Sequence, residues 1–136
     1  MTDELLNLQA DYNELCQRAE PHQGRYTFLT KREDVGVPHV EFHDGEYHYI
    51  VTERGLDLER RSTADRREIL YWMLYDLTFW MGVAFEFKSR IEGPDVRRKI
   101  FAHQLELMKR ADQQFADRLE IQIAETLSRN PFNDHA

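Results

Sequence analysis

The sequence predicts an α+β fold, and three observations carry that prediction. Apolar residues recur at three- and four-residue steps from Thr2 to Ala19, polar and apolar residues alternate on both sides of Asp44-Gly45, and Ile69 to Phe85 is almost continuously apolar. The first period is that of an amphipathic helix and the second that of half-buried antiparallel strands. A block apolar nearly all round implies a helix buried on several sides. The expected order is a helix over 1–20, a three-stranded antiparallel sheet over 24–53, a long apolar central helix over 63–92, and one or two helices over 94–130 packed around it. All of this is expected within one domain.

The first helix is defined by Leu5, Leu8, Tyr12, Leu15 and Ala19, with Thr2 or Asp3 as its cap and Pro21 and Gly24 as its end. Cys16, the single cysteine, falls on the same stripe and reads as a small core residue with no disulfide partner. Arg25–Leu29 reads as a first strand. The charged loop Lys31-Arg32-Glu33-Asp34 follows.

Asp44-Gly45 suits a two-residue type I′ turn, in which both central residues need positive φ. It fixes the register: His43 opposite Glu46, Phe42 opposite Tyr47, Glu41 opposite His48, Val40 opposite Tyr49, His39 opposite Ile50. One face then carries Val40, Phe42, Tyr47, Tyr49 and Val51, suited to packing on the central helix. The other carries His39, Glu41, His43, Glu46 and His48. Asp57–Arg61 reads as a charged linker.

For the central helix, Ser62 or Thr63 can cap the start, Ser62 and Asp65 have the spacing of a capping box, and Gly93-Pro94 offers a stop. A membrane span does not fit. The apolar run falls short of the ~20 residues a bilayer needs, and Asp76 sits at its midpoint, where a charge is costly. Pro94-Asp95 restarts a helix with Val96, Ile100, His103 and Leu107 on one stripe. Phe115, Leu119, Ile123 and Leu127 mark the last helix, ended by Asn130-Pro131, with a weakly marked break near Ala111-Asp112.

The net charge of -7 argues against a general nucleic-acid binder and suits either a basic partner or, the preferred reading, simply a soluble protein. The N-terminus shows no basic-then-apolar signal, so cytoplasmic residence is expected. The sharpest candidate for chemistry is the His/Glu hairpin face, where imidazoles and carboxylates lie close enough to hold zinc or to pair as acid and base. A metal-assisted hydrolase is therefore the enzymatic alternative. No HExxH or cysteine pair accompanies the cluster, and a solvated polar face presented to another protein is the preferred reading. Asp76 is expected as a buried acid satisfied by a tyrosine, tryptophan or arginine donor. The clusters Arg60-Arg61, Arg66-Arg67 and Arg97-Arg98-Lys99 are interleaved with acids and read as solvated helix ends. The residues alone define an acidic α+β domain with no catalytic set, metal or cofactor. Two interaction roles stay open: a module of another pathway, or a homodimer joined through exposed aromatic surface.

Several stretches resemble the immunity protein 63 family of bacterial polymorphic toxin systems. They are Tyr47-His48-Tyr49-Ile50-Val51-Thr52-Glu53-Arg54-Gly55, Leu70-Tyr71-Trp72 with Asp76 and Phe79, and Glu86 with Arg90-Ile91-Glu92. Arg97-Arg98 with Phe101, Gln104-Leu105-Glu106, and Asn130-Pro131-Phe132-Asn133-Asp134 complete the set. The resemblance covers roughly residues 12–134. It implies a small cytoplasmic antidote that binds and blocks a cognate toxin domain, in many systems a basic nuclease, without catalysis of its own. The candidate contact residues are Glu41, His43, Glu46 and His48 on the hairpin and Asp3, Glu4, Asp11 and Glu14 on the first helix.

Overall fold

The computed structural model describes residues 1–33 and 35–135; Asp34, at the end of the charged loop, lies outside the described residues. The elements run α1 (Asp3–Ala19), β1 (Val35–His43), β2 (Glu46–Glu53), β3 (Leu56–Thr63), α2 (Arg66–Lys88), α3 (Val96–Ala111) and α4 (Gln113–Arg129). The fold is α+β. Two compact units divide it, one of Met1–Gln17 with His22–Trp72, the other of Arg18–Pro21 with the residues from Met73 onward.

In the first unit α1 starts where Thr2 accepts from the Leu5 amide at 3.2 Å. Its expected stripe is buried throughout, and Cys16 with it. The three strands form one antiparallel sheet in the order β1-β2-β3. Asp44 and Gly45 have φ of 55° and 74°, the type I′ signature. All five predicted cross-strand pairs are present.

The membership of the sheet differs from expectation. Arg25–Leu29 is not a sheet strand: it touches β1 only through a parallel bridge between Leu29 and His39, with the Val40 amide donating to Leu29 O at 2.8 Å. Its backbone is satisfied by side chains of α1 instead. Asn13 Oδ1 accepts from the Tyr26 amide at 2.8 Å, and Gln9 Nε2 donates to Tyr26 O. The third strand is β3, the stretch read as a charged linker. A second turn of positive φ, Arg54 at 53° and Gly55 at 81°, folds it back onto β2.

The face carrying Val40, Tyr47 and Tyr49 is buried, and the first turns of α2 meet it. Tyr49 lies 6.4 Å from the Trp72 ring, with the Arg61 guanidinium 5.3 Å and 4.7 Å from the two rings. The cap of α2 is Asp65, which accepts from the Arg67 amide at 2.9 Å, rather than Ser62 or Thr63. The helix stops at Lys88, short of the expected residue 92, where Ser89 Oγ donates to Phe85 O at 2.7 Å.

In the second unit α2 buries Leu74, Thr78, Gly82 and Glu86 on one side only. A Cβ built on Gly82 would lie 2.7 Å from Ile100 O, so α3 crosses here at backbone contact. Gln104, 1% exposed, donates to Tyr75 O at 3.1 Å and ties the same two helices. The restart of the chain is capped by Asp95, which accepts from the Arg97 amide at 2.9 Å; Pro94 precedes the helix rather than opening it. Asp112 separates α3 from α4 by one extended residue. Its amide donates to Met108 O at 2.9 Å and its carboxylate accepts from the Phe115 amide at 3.0 Å, so it ends one helix and starts the next.

Because α4 returns along α3, the tail reaches the start of α3. Arg97 donates to Asn130 O and Pro131 O, Arg98 pairs with Asp134 at 2.9 Å, and the Arg98 guanidinium lies 4.1 Å from the Phe132 ring. The Arg97 guanidinium first, then the Asn133 and Arg97 amides, hold the Asp95 carboxyl well below the usual carboxylate range. Arg98 does the same for Asp134. Depressed carboxyl values contribute stability that is complete above the unfolded values, near ~4, and is lost as pH falls through the folded ones. The expected result is a Tm that drops between about pH 5 and 2, and drops less in Asp134→Asn, whose starting Tm is already lower. Equal acid slopes for both proteins would contradict this clasp.

Candidate functional site

Strand alternation places His39, Glu41 and His43 of β1 on the same face as Glu46 and His48 of β2. The register sets Glu41 beside His48 and His48 beside Ser62 of β3, a polar row across three strands. Glu41 bridges two imidazoles: Oε2 lies 2.8 Å from His39 Nε2, and Oε1 lies 3.3 Å from His43 Nε2. The His39 hydrogen bond is the main cause that lowers the Glu41 carboxyl below its usual value. The His43 and His48 rings stack at 3.9 Å, and His48 Nδ1 sits 2.8 Å from Ser62 Oγ.

This face is only partly open. His43 and Glu46 are exposed and Glu41 is half-buried, but His39 is 2% and His48 9% exposed, and Ile50 and Thr52 of the same face are buried. The reading of one continuous solvated face is corrected accordingly. His39 and His48 are packed and hydrogen-bonded, and His43, Glu46 and the outer edge of Glu41 are the part of this face that meets solvent.

On α1, Asp3, Glu4 and Glu14 are exposed, whereas Asp11 is half-buried and ion-paired with Arg66 at 3.0 Å. Both acidic groups of the sequence reading thus lie in the first unit. Asp76 is half-buried rather than enclosed. Its charge adds to burial in raising the neighbouring Tyr75 hydroxyl above its usual value.

Among the described residues, no three His, Cys, Asp or Glu side chains come together as a metal-ion site. Among them, too, no helix is long and apolar enough to cross a membrane. A cavity of about 280 Å³ beside the start of α3 is walled by Ile91, Pro94 and Val96 with Glu86, Arg98 and Lys99. Its charged groups are engaged within the chain: Glu86 with Arg90 at 2.7 Å, Arg98 with Asp134, and Lys99 with Ser89 O. Sequence reasoning missed the solvent-facing apolar surface of α2. Trp80, in the block read as buried on several sides, is 65% exposed, and Phe87, two residues beyond that block, is 73% exposed.

A family model matching residues 43–125 places the chain among immunity proteins. The match spans more than half of the 136 residues, and the chain belongs to the family described as Immunity protein 63. It takes in β2, β3, α2, α3 and most of α4, and leaves α1 and most of β1 outside. Comparison with curated proteins and with solved structures gives no match.

Proposed function

We propose that this protein binds a cognate toxin domain in the cytoplasm and neutralises it by occlusion, without catalysis of its own. Membership of an immunity protein family is the observation that carries the reading. The net charge of -7 supports a basic partner, such as a nuclease, because complementary charge steers encounter and speeds association. The contact surface of this reading consists of Glu41, His43 and Glu46, supported from behind by His48, with Asp3, Glu4, Asp11 and Glu14 of α1 as a second acidic group.

Co-expression with the toxin domain encoded beside this gene tests the function, by cell survival and by co-purification. Survival with a stable complex supports it, and death with no complex counts against it. The surface is tested separately. Glu41→Lys with Glu46→Lys is expected to weaken toxin binding at least about tenfold at low salt, with the gap closing as salt rises, while the circular dichroism spectrum is kept. Unchanged affinity would remove the hairpin from the interface.

A further inference from the structure

We propose that two copies of this chain associate through the outer face of the C-terminal half of α2, with the two helices antiparallel. Leu77, Trp80, Ala84 and Phe87 follow one another at steps of three, four and three, the spacing of a coiled-coil seam. Ile91 continues the pattern four residues on, just past the helix end. Trp80, Ala84, Phe87 and Ile91 all face solvent, while the opposite side, Thr78, Gly82 and Glu86, is the buried one. Between Asp76 and Lys88 the sole ionisable residue is Glu86, on that buried side; the Arg90 guanidinium comes within 5.6 Å of the Phe87 ring at the far end of the stripe.

The area is that of the largest apolar patches monomers carry, which are often functional. Aromatic side chains bury roughly 150–250 Å² each. At 65% and 73% exposure, Trp80 and Phe87 alone leave on the order of 300 Å² of ring surface in water. Ile91, 64% exposed, and Ala84 extend it toward the upper limit of what a monomer carries, roughly 300–600 Å². With a rim around it, such a patch forms the core of the about 800 Å² per partner that a stable dimer uses.

The pattern of sizes points to a second copy. In an antiparallel pair centred level with residue 82, Trp80 of one protomer meets the partner's Ala84, and Leu77 meets the partner's Phe87. Two-fold symmetry makes each contact occur twice, so every large ring faces one smaller residue and the surfaces interdigitate. The stripe offers no carboxylate to a basic toxin.

Sedimentation of the full chain from about 1 to 200 µM tests the proposal, beside Trp80→Glu and Ala84→Arg. The expected result is a dimer whose dissociation constant rises at least about a hundredfold in each variant, with helix content unchanged and little response to salt. Should Trp80→Glu fail to fold, Ala84→Arg carries the test, because Ala84 is exposed. A chain that stays monomeric throughout, or a dimer indifferent to both substitutions, would overturn it. So would a monomer in which both variants lose toxin binding, since the stripe would then seat the toxin.

Discussion

Gly82→Ala should destabilise the protein by about 1–3 kcal/mol, against the usual direction for a helix interior. Alanine normally favours a helix over glycine by about 1 kcal/mol. Here the added methyl would lie 2.7 Å from Ile100 O, a backbone atom that cannot rotate aside. Either α2 and α3 separate locally, which loosens the Gln104 bond to Tyr75 O, or the helix absorbs the strain. Overpacking of this kind outweighs the propensity gain. Gly24→Ala provides the control, because its nearest neighbour, the His22 ring, is at an ordinary 3.5 Å. Urea denaturation of the two variants gives the answer. A Gly82→Ala midpoint at or above wild type would mean that α3 does not cross so closely.

The second large effect is expected in α4. Leu119 is fully buried, and truncating a buried leucine to alanine costs about 2–5 kcal/mol through lost transfer energy and the remaining cavity. Ile121, two residues along the same helix, is 62% exposed, and Ile121→Ala should stay within about 0.5 kcal/mol of wild type. Comparable losses for the two would show that the inward face of α4 is assigned wrongly.

The legible part of the fold was the part governed by local rules. Asp44-Gly45 and the alternation around it determine a register with almost no tertiary information, and α1 carries an uninterrupted apolar stripe. What stayed hidden depends on neighbours. Leu56–Thr63 is an edge strand, and edge strands take charged residues that discourage unwanted pairing, so Asp57, Glu59, Arg60 and Arg61 disguised it as a linker. Arg25–Leu29 has a strand-like composition, but Gln9 and Asn13 of α1 satisfy its backbone. The register puts the hairpin histidines and carboxylates on one face as the sequence implies, yet composition does not show that His39 and His48 are enclosed. The outer surface of α2 escaped for the opposite reason. An all-apolar helix implies burial, and Trp80 and Phe87 are apolar without being buried.

Cys16 gives the chain a chemical clock. Burial pushes its thiol up to about 12, and no other cysteine competes for reagent. The thiolate is the attacking species, so an alkylating agent must wait until the part of the molecule holding α1 opens. In the limit of fast reclosing, the labelling rate divided by that of the unfolded chain gives the opening equilibrium under native conditions. Labelling followed by mass spectrometry would thus report how often the N-terminal region breathes, with no added probe and no denaturant.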